Sequence, residues 1–273
     1  MEKINLVLNK LIKLKGLIKI KNFFSEVSDK KKEIKTILDL PDEYNEHLVM
    51  FLDPRSPVIE QYRSLRTHLL AESGNKSINT FLVTSSIRGE GKSITSCNLG
   101  IILAHNRQNS VLLVDGDMRI PSIHKIFGIR GNRGLVDYLK GESELDSLIV
   151  PTKIDNLFIL PAGEPQTSPS ELLATSKMTD FLRMEESKGK NHYVIIDSPP
   201  IISTTDPRII ATYVGGVLLV VQAGRTPRDV ISHGLSLLKN VNILGIILNN
   251  ISGISPYYPY RYSYAYGYVE YSK

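Results

Sequence analysis

Six short apolar runs constrain this chain more than any other feature: "TFLVTSS", "SVLLVDGD", "LFILPAG", "YVIIDSPP", "GVLLVVQAG" and "LGIILNN", all C-terminal to Ser77. Each is continuously apolar where a half-exposed strand would alternate, which is the pattern of strands covered on both faces. The stretches between them are long enough for helical crossovers. The expected fold class is therefore α/β, a doubly wound and mainly parallel sheet flanked by helices. A chain of 273 residues holds one such domain plus tails.

The tails read differently. In residues 1–24, Ile4, Val7, Leu8, Leu11, Leu14 and Ile18 share one side of a helical wheel, with Lys3, Lys10, Lys13 and Lys21 mostly on another. An amphipathic helix is expected there, packed on protein or on an anionic membrane surface, although "IKLKGLIKIK" also alternates with period two. Residues 25–57, with "DKKKEIK" and Pro41, Pro54 and Pro57, read as a linker. The division expected is 1–55 basic segment and linker, 56–254 phosphate-binding domain, and 255–273 tail. A balance of 33 Lys+Arg against 28 Asp+Glu is too even to argue for nucleic acid. One cysteine, Cys97, excludes an intrachain disulfide and fits a reducing compartment. No apolar run reaches the ~18 residues of a membrane span, so the expected place is the cytoplasm, with any membrane attachment peripheral.

The first strand runs into "TSSIRGEGKSITSCNLGIILA". Gly89 and Gly91 let backbone approach a ligand, and a helix opening near Lys92 aims its N-terminus at phosphate oxygens. Lys92 would meet the β/γ-phosphates and the Ser93 hydroxyl a Mg²⁺ ion, the plan of a P-loop NTPase, although Ser86 stands where the full pattern has glycine. "VLLVDGDMR" puts Asp115 and Asp117, and "YVIIDSPP" puts Asp197, at the carboxyl ends of strands. Those ends border the ligand crevice of such sheets, and carboxylates gathered there call for a cation such as Mg²⁺-nucleotide. Each aspartate alone is also a common helix cap or turn residue.

Together these motifs resemble the bacterial tyrosine kinases of capsular and exopolysaccharide biosynthesis. "SSIRGEGKS" resembles the family's Walker A loop, "LLVDGDMRIP" its own acidic motif, "YVIIDSPP" its Walker B motif, and "SPSELL" and "GLVDYLKGE" further counterparts. The resemblance implies that Ser86, Arg88, Gly89, Glu90, Gly91, Lys92, Ser93 and Ile94 hold ATP. Ser93, Asp115 and Asp197 would serve Mg²⁺, and Asp115 with Asp117 would take the phenolic proton. Asn249 is either an adenine contact or an ordinary turn residue. The absence of a membrane-spanning half matches the Gram-positive arrangement. There a separate transmembrane activator of the polysaccharide co-polymerase type holds the kinase at the inner face of the membrane, and a cognate phosphotyrosine phosphatase reverses it.

The last residues, "YYPYRYSYAYGYVEYSK", hold eight of the thirteen tyrosines: Tyr257, Tyr258, Tyr260, Tyr262, Tyr264, Tyr266, Tyr268 and Tyr271. Pro and Gly there suit a flexible tail that threads into another subunit's active site for autophosphorylation. In the resembled family, the spacing of Glu60, Arg63 and Arg66 joins subunits into a ring; the plain alternative is a solvated face with weak Glu–Arg pairs. Full phosphorylation of the tail would add roughly 12–16 negative charges and drive such a ring apart. Two other readings stand: a positioning ATPase of the MinD/ParA kind or non-phosphorylating switch, and an adaptor with a vestigial site. The first usually carries an extra lysine early in the loop, where this chain has Ile87 and Arg88.

Overall fold

Within the first, second and fourth of these apolar runs, adjacent side chains go to opposite faces of one sheet and into two separate cores. The structure, a computed structural model, describes residues 17–19, 48–49, 56–74 and 78–250. The strands are β1 (Leu17–Lys19), β2 (Thr80–Ser85), β3 (Ser110–Asp115), β4 (Val150–Pro151), β5 (Leu157–Leu160), β6 (His192–Asp197), β7 (Gly216–Gln222) and β8 (Ile243–Asn249). They lie in the order β1-β8-β7-β2-β6-β3-β5-β4. Every pairing is parallel except that of β4 with β5.

Helices α1 (Pro57–Gly74) and α2 (Lys92–Ala104) cover one face. Beneath them Phe81, Val83, Val111, Leu113 and Ile195 pack with Cys97, Leu99, Ile101 and the α1 residues Ile59, Tyr62 and Leu65. The intervening Leu82, Leu112, Val114, Val194 and Ile196 face the other core. Of the elements on that side, α4 (Leu135–Lys140), α6 (Ser176–Ser187) and α7 (Asp206–Ala211) contribute Leu139, Phe181 and Ile210. Short α3 (Ile123–Ile126) and α5 (Pro169–Leu173) flank the sheet, and α8 (Arg228–Leu237) packs Leu235 on Leu219 and Val221. At ~1.5–3 kcal/mol per buried large side chain, these two layers hold the strand ends in register.

The amino-terminal expectation needs correction at Leu17–Lys19. These residues form no helix there; they pair in parallel with Ile246, Ile247 and Leu248 of β8. Period-two alternation prevails, because Gly16 disfavours a helix and lysines suit the outer strand of a sheet. The remainder of residues 1–24 lies outside the described residues, as does the tail from residue 251. Within the expected linker, Leu48 and Val49 are buried in the core under α1 and α2. The Val49 N–H donates to Asn98 Oδ1 at 2.9 Å, and Asn98 Nδ2 donates to the Tyr62 hydroxyl at 3.3 Å. Among the described residues, no helix is long and apolar enough to cross a membrane.

Candidate active site

β2, the strand that delivers the glycine loop, lies between β7 and β6 in the sheet. Parallel pairing then brings the carboxyl ends of β2, β3 and β6 to one edge, where Asp115 and Asp197 stand directly opposite each other in register. Gly116 follows Asp115, and its N–H donates to the Asp197 carbonyl at 2.7 Å. A Cβ at residue 116 would sit 2.7 Å from that same oxygen, so only glycine lets the two strand ends come this close.

The loop turns into α2 at Gly91, whose φ of 87° is left-handed. Lys92 then reaches across the cleft, with Nζ 3.2 Å from Asp117 Oδ2 and 3.5 Å from Asp197 Oδ2. Ser93 Oγ donates to Asp197 Oδ2 at 2.6 Å, and Ser96 Oγ donates to Asp197 Oδ1 at 3.2 Å. Asp115 Oδ2 accepts the N–H groups of Ser122 and Ile123, both at 2.9 Å, while its Oδ1 accepts that of Asp117 at 3.3 Å. Asp117 Oδ1 accepts the Ile120 N–H at 3.1 Å. The structure thus brings Lys92, Ser93, Asp115, Asp117 and Asp197 into one cluster.

This cluster carries more negative charge than Lys92 neutralises. Burial, and next the nearby Asp197, push the Asp115 carboxyl up to about 7. Burial also raises Asp197, partly offset by Lys92 and Ser93. Burial alone would lower Lys92, but Asp197 and Asp117 outweigh it and hold the ammonium above its usual value. Such a site suits a divalent cation, and the donor set fits one: a hydroxyl and hard carboxylate oxygens. Among the described residues, no three Asp, Glu, His or Cys side chains converge as an all-protein metal cage.

Several residues expected at the nucleotide have side chains that brace the loop. Glu90 is buried, and its Oε2 accepts the Ile87 N–H at 2.8 Å. Its Oε1 accepts from the Gln222 N–H at 3.2 Å and the Thr226 hydroxyl at 2.5 Å, tying the loop to the end of β7. Asn249 Nδ2 donates to the Glu90 carbonyl at 2.9 Å. Ser86 is fully buried, with Oγ 3.0 Å from where a Cβ on Gly234 of α8 would sit, and Ile94 packs against the α1–α2 core. Arg88 and Gly89 are exposed at the loop tip.

A Cβ at Gly91 would lie 2.2 Å from Asn249 Nδ2. Gly91→Ala is therefore expected to cost ~1–3 kcal/mol through strain and collision. Adding Asn249→Ala should recover only the collision part, since the φ strain persists; thermal melts of the single and double variants measure the split.

Other participants escaped sequence reading. Arg119 donates Nε to Asp206 Oδ2 at 2.7 Å and Nη2 to Asp206 Oδ1 at 3.3 Å. Its Nη1 donates to the Thr167 carbonyl at 2.7 Å, so one guanidinium joins the loops after β3 and β5 to the start of α7. Arg225 Nη1 stands 3.3 Å from a Cβ position on Gly89, adding positive charge beside the loop tip. Of the α1 triplet, Glu60 and Arg63 pair with each other. Arg66 does not lie free on a solvated face: its Nη1 donates to the Ile102 carbonyl of α2 at 3.1 Å.

Comparison with known proteins matches this architecture. A family profile described as "ParA: NUBPL iron-transfer P-loop NTPase" matches residues 77–258. CapB of Staphylococcus aureus is 32% identical over 213 residues, covering 76% of this chain and 91% of CapB. CapB carries the name "Putative tyrosine-protein kinase CapB", and tyrosine-protein kinase YwqD of Bacillus subtilis (strain 168) is 29% identical over 205 residues, covering 74% of this chain and 85% of YwqD. The chain belongs to the bacterial tyrosine kinases. The kinase also superimposes on the kinase domain of Escherichia coli tyrosine kinase ETK with a TM-score of 0.76 at 26% identity, covering 93% of this chain and 95% of that one. As a P-loop NTPase, it has a site for a nucleotide and a divalent cation.

Proposed function

We propose that this kinase transfers the γ-phosphoryl group of ATP to tyrosines in the C-terminal cluster of a neighbouring copy, and that this cycle regulates capsule or exopolysaccharide synthesis and export. One observation carries the reading: Lys92, Ser93, Asp115, Asp117 and Asp197 share a buried cleft at the edge where β8, and with it the chain leading to the tail, comes to an end. Acceptor availability supports it. The four described tyrosines, Tyr62, Tyr138, Tyr193 and Tyr213, are all buried or half-buried. Tyr62 is the extreme case, its hydroxyl pushed up to about 12 by burial.

In the step itself, the acceptor phenolic oxygen bonds to the γ-phosphorus as the bond from that phosphorus to the β,γ-bridging oxygen breaks. ADP departs with the electron pair. Lys92 swings from Asp117 and Asp197 to the β/γ-phosphate oxygens, and the N–H groups of the Gly89–Ser93 loop line the phosphates. Ser93 and Asp115 would hold Mg²⁺, with Asp197 serving it through water and orienting the Ser93 hydroxyl. When bound, the cation neutralises charge building on the transferring group. The phenolic proton passes to the Asp115–Asp117 pair.

The same reading keeps residues 1–55 as a basic segment and linker, of which Leu17–Lys19 and Leu48–Val49 are built into the kinase unit, with 56–254 as that unit and 255–273 as the acceptor tail. Glu60, Arg63 and Arg66 would contribute to a ring of copies, and a transmembrane activator would hold that ring at the inner face of the membrane. A phosphatase would reset it. The ParA-type profile keeps a second reading, a positioning ATPase, in view.

Incubating the full chain with Mg-ATP, with and without the cytoplasmic segment of the activator, and probing for phosphotyrosine separates the two. The expected result is a phosphotyrosine signal that truncation after Ser255 removes. ATP hydrolysis with no phosphotyrosine would favour the positioning reading instead.

A further inference from the structure

Ile120 stands beside the carboxylate cluster, its N–H bonded to Asp117 Oδ1 at 3.1 Å. Its side chain is 51% exposed, one of three large apolar side chains in that condition among the described residues. The other two lie elsewhere: Phe158 is in β5, paired with Pro151 of edge strand β4, and Met184 is in α6, which leads to the amino end of β6. Only Ile120 adjoins the site.

Single exposed hydrophobics are ordinary, so exposure by itself assigns nothing. What distinguishes Ile120 is how firmly its loop is held. Its own N–H is bonded to Asp117 Oδ1, on the carboxylate whose other oxygen faces Lys92. On one side Arg119 is clamped to buried Asp206 and to the Thr167 carbonyl. On the other, Pro121 is buried and the next two N–H groups bind Asp115. A branched apolar group is thus presented to solvent at a fixed position beside both candidate bases. Rigid apolar surface of that kind suits the face of an aromatic ring.

We propose that Ile120 is a specificity-determining residue: an apolar shelf on which the acceptor tyrosine ring rests, occupied by residues 256–273 of a neighbouring copy. This deepens the kinase reading and rests on it. The composition of that segment favours such recognition. Between Arg261 and Glu270 it carries no charged side chain, only Tyr, Ser, Ala, Gly and Val, so ring-to-aliphatic contact is the chemistry available to it. The topology favours it too. β8 runs parallel to β7, and β7 to β2, so Asn249 ends at the edge bearing the cleft. The 24 residues after it span up to roughly 80 Å when extended, enough to reach the cleft of an adjacent copy.

The test uses the full chain loaded with Mg²⁺ and a non-hydrolysable ATP analogue, titrated into a fluorescently labelled peptide of residues 256–273. Ile120→Ser is expected to weaken peptide binding roughly fivefold, the scale for losing a partly buried aliphatic contact. Ile120→Val should stay within about twofold of wild type, and both variants should keep wild-type affinity for the analogue. Equal peptide affinity in the Ser variant overturns the shelf, and so does a wild-type chain that binds no peptide. Two further outcomes separate this proposal from the kinase reading. Ile120-dependent binding without phosphotyrosine formation defeats the kinase reading and leaves the shelf standing. Phosphotyrosine formation with an unchanged peptide KM in Ile120→Ser does the reverse.

Discussion

Lys92→Met is expected to lower phosphotyrosine formation by at least ~10²–10³-fold, the usual effect of removing one preorganised charge from a developing anion. The same side chain has a second task. Without nucleotide its ammonium lies between Asp117 and Asp197, where it compensates carboxylates that are 8% and 0% exposed. Met fills similar volume but leaves those charges unpaired. Breaking a buried pair costs on the order of 3 kcal/mol or more when the survivor must stay ionised. Asp197 has an escape, because its carboxyl already sits above the ordinary range and can take up a proton. The stability loss in Lys92→Met should therefore be smaller at acidic pH and grow as pH rises. Melting curves at acidic and higher pH, beside phosphotyrosine blots, follow both effects; an active Lys92→Met variant would sink the assignment of Lys92 to the phosphates.

The second large effect concerns acidity. Asp115 is completely buried, and its carboxyl is raised from 3.8 to about 7 in the folded chain. The unfolded chain releases that proton near the ordinary carboxylate value. Between these two points the folded state binds more protons than the unfolded state, so stability is highest below about pH 4 for this group and falls as pH rises toward 7. The ceiling on that loss is on the order of 4 kcal/mol, at ~1.4 kcal/mol per pKa unit. Asp115→Asn removes the titrating group and keeps one acceptor oxygen for the Ser122 and Ile123 N–H groups. We expect the nucleotide-free variant to show a flatter stability profile between pH 5 and 8, and to melt higher than wild type at pH 8. Divalent cation with nucleotide should flatten the wild-type profile in the same way. Parallel profiles for wild type and Asp115→Asn would show that the buried charge is relieved by something else.

What was legible in the chain and what was not divides along range. The runs that became β2, β3, β6 and β7 could be read because strands buried on both faces leave no polar alternation to confuse them, whereas β5 and β8 carry the same apolar pattern with Phe158 exposed and most of β8 only partly covered. The glycine loop and the aspartates could be read because strand, turn and helix follow one another locally. Glu90 was placed with the nucleotide because it stands inside the loop, but its carboxylate is claimed by Gln222 and Thr226, more than 130 positions away. Arg119 was passed over because its partner, Asp206, lies 87 positions downstream. Arg66 was read with Glu60 and Arg63 as a ring contact or a solvated face, because nothing local reveals that it donates to the Ile102 carbonyl 36 positions away. β4, two residues long and antiparallel, is too short to carry a period at all.

One small element has a practical bearing. Strand β1 is only three residues long, yet it seals the outer flank of β8. A shortened chain starting at residue 56 would leave the peptide groups of Ile246 to Leu248 open to solvent, a ready template for a stray strand from another molecule. Such trimming, the obvious way to isolate the catalytic portion, would invite sticky, ill-defined aggregates. Retaining those few upstream amino acids is the simplest remedy.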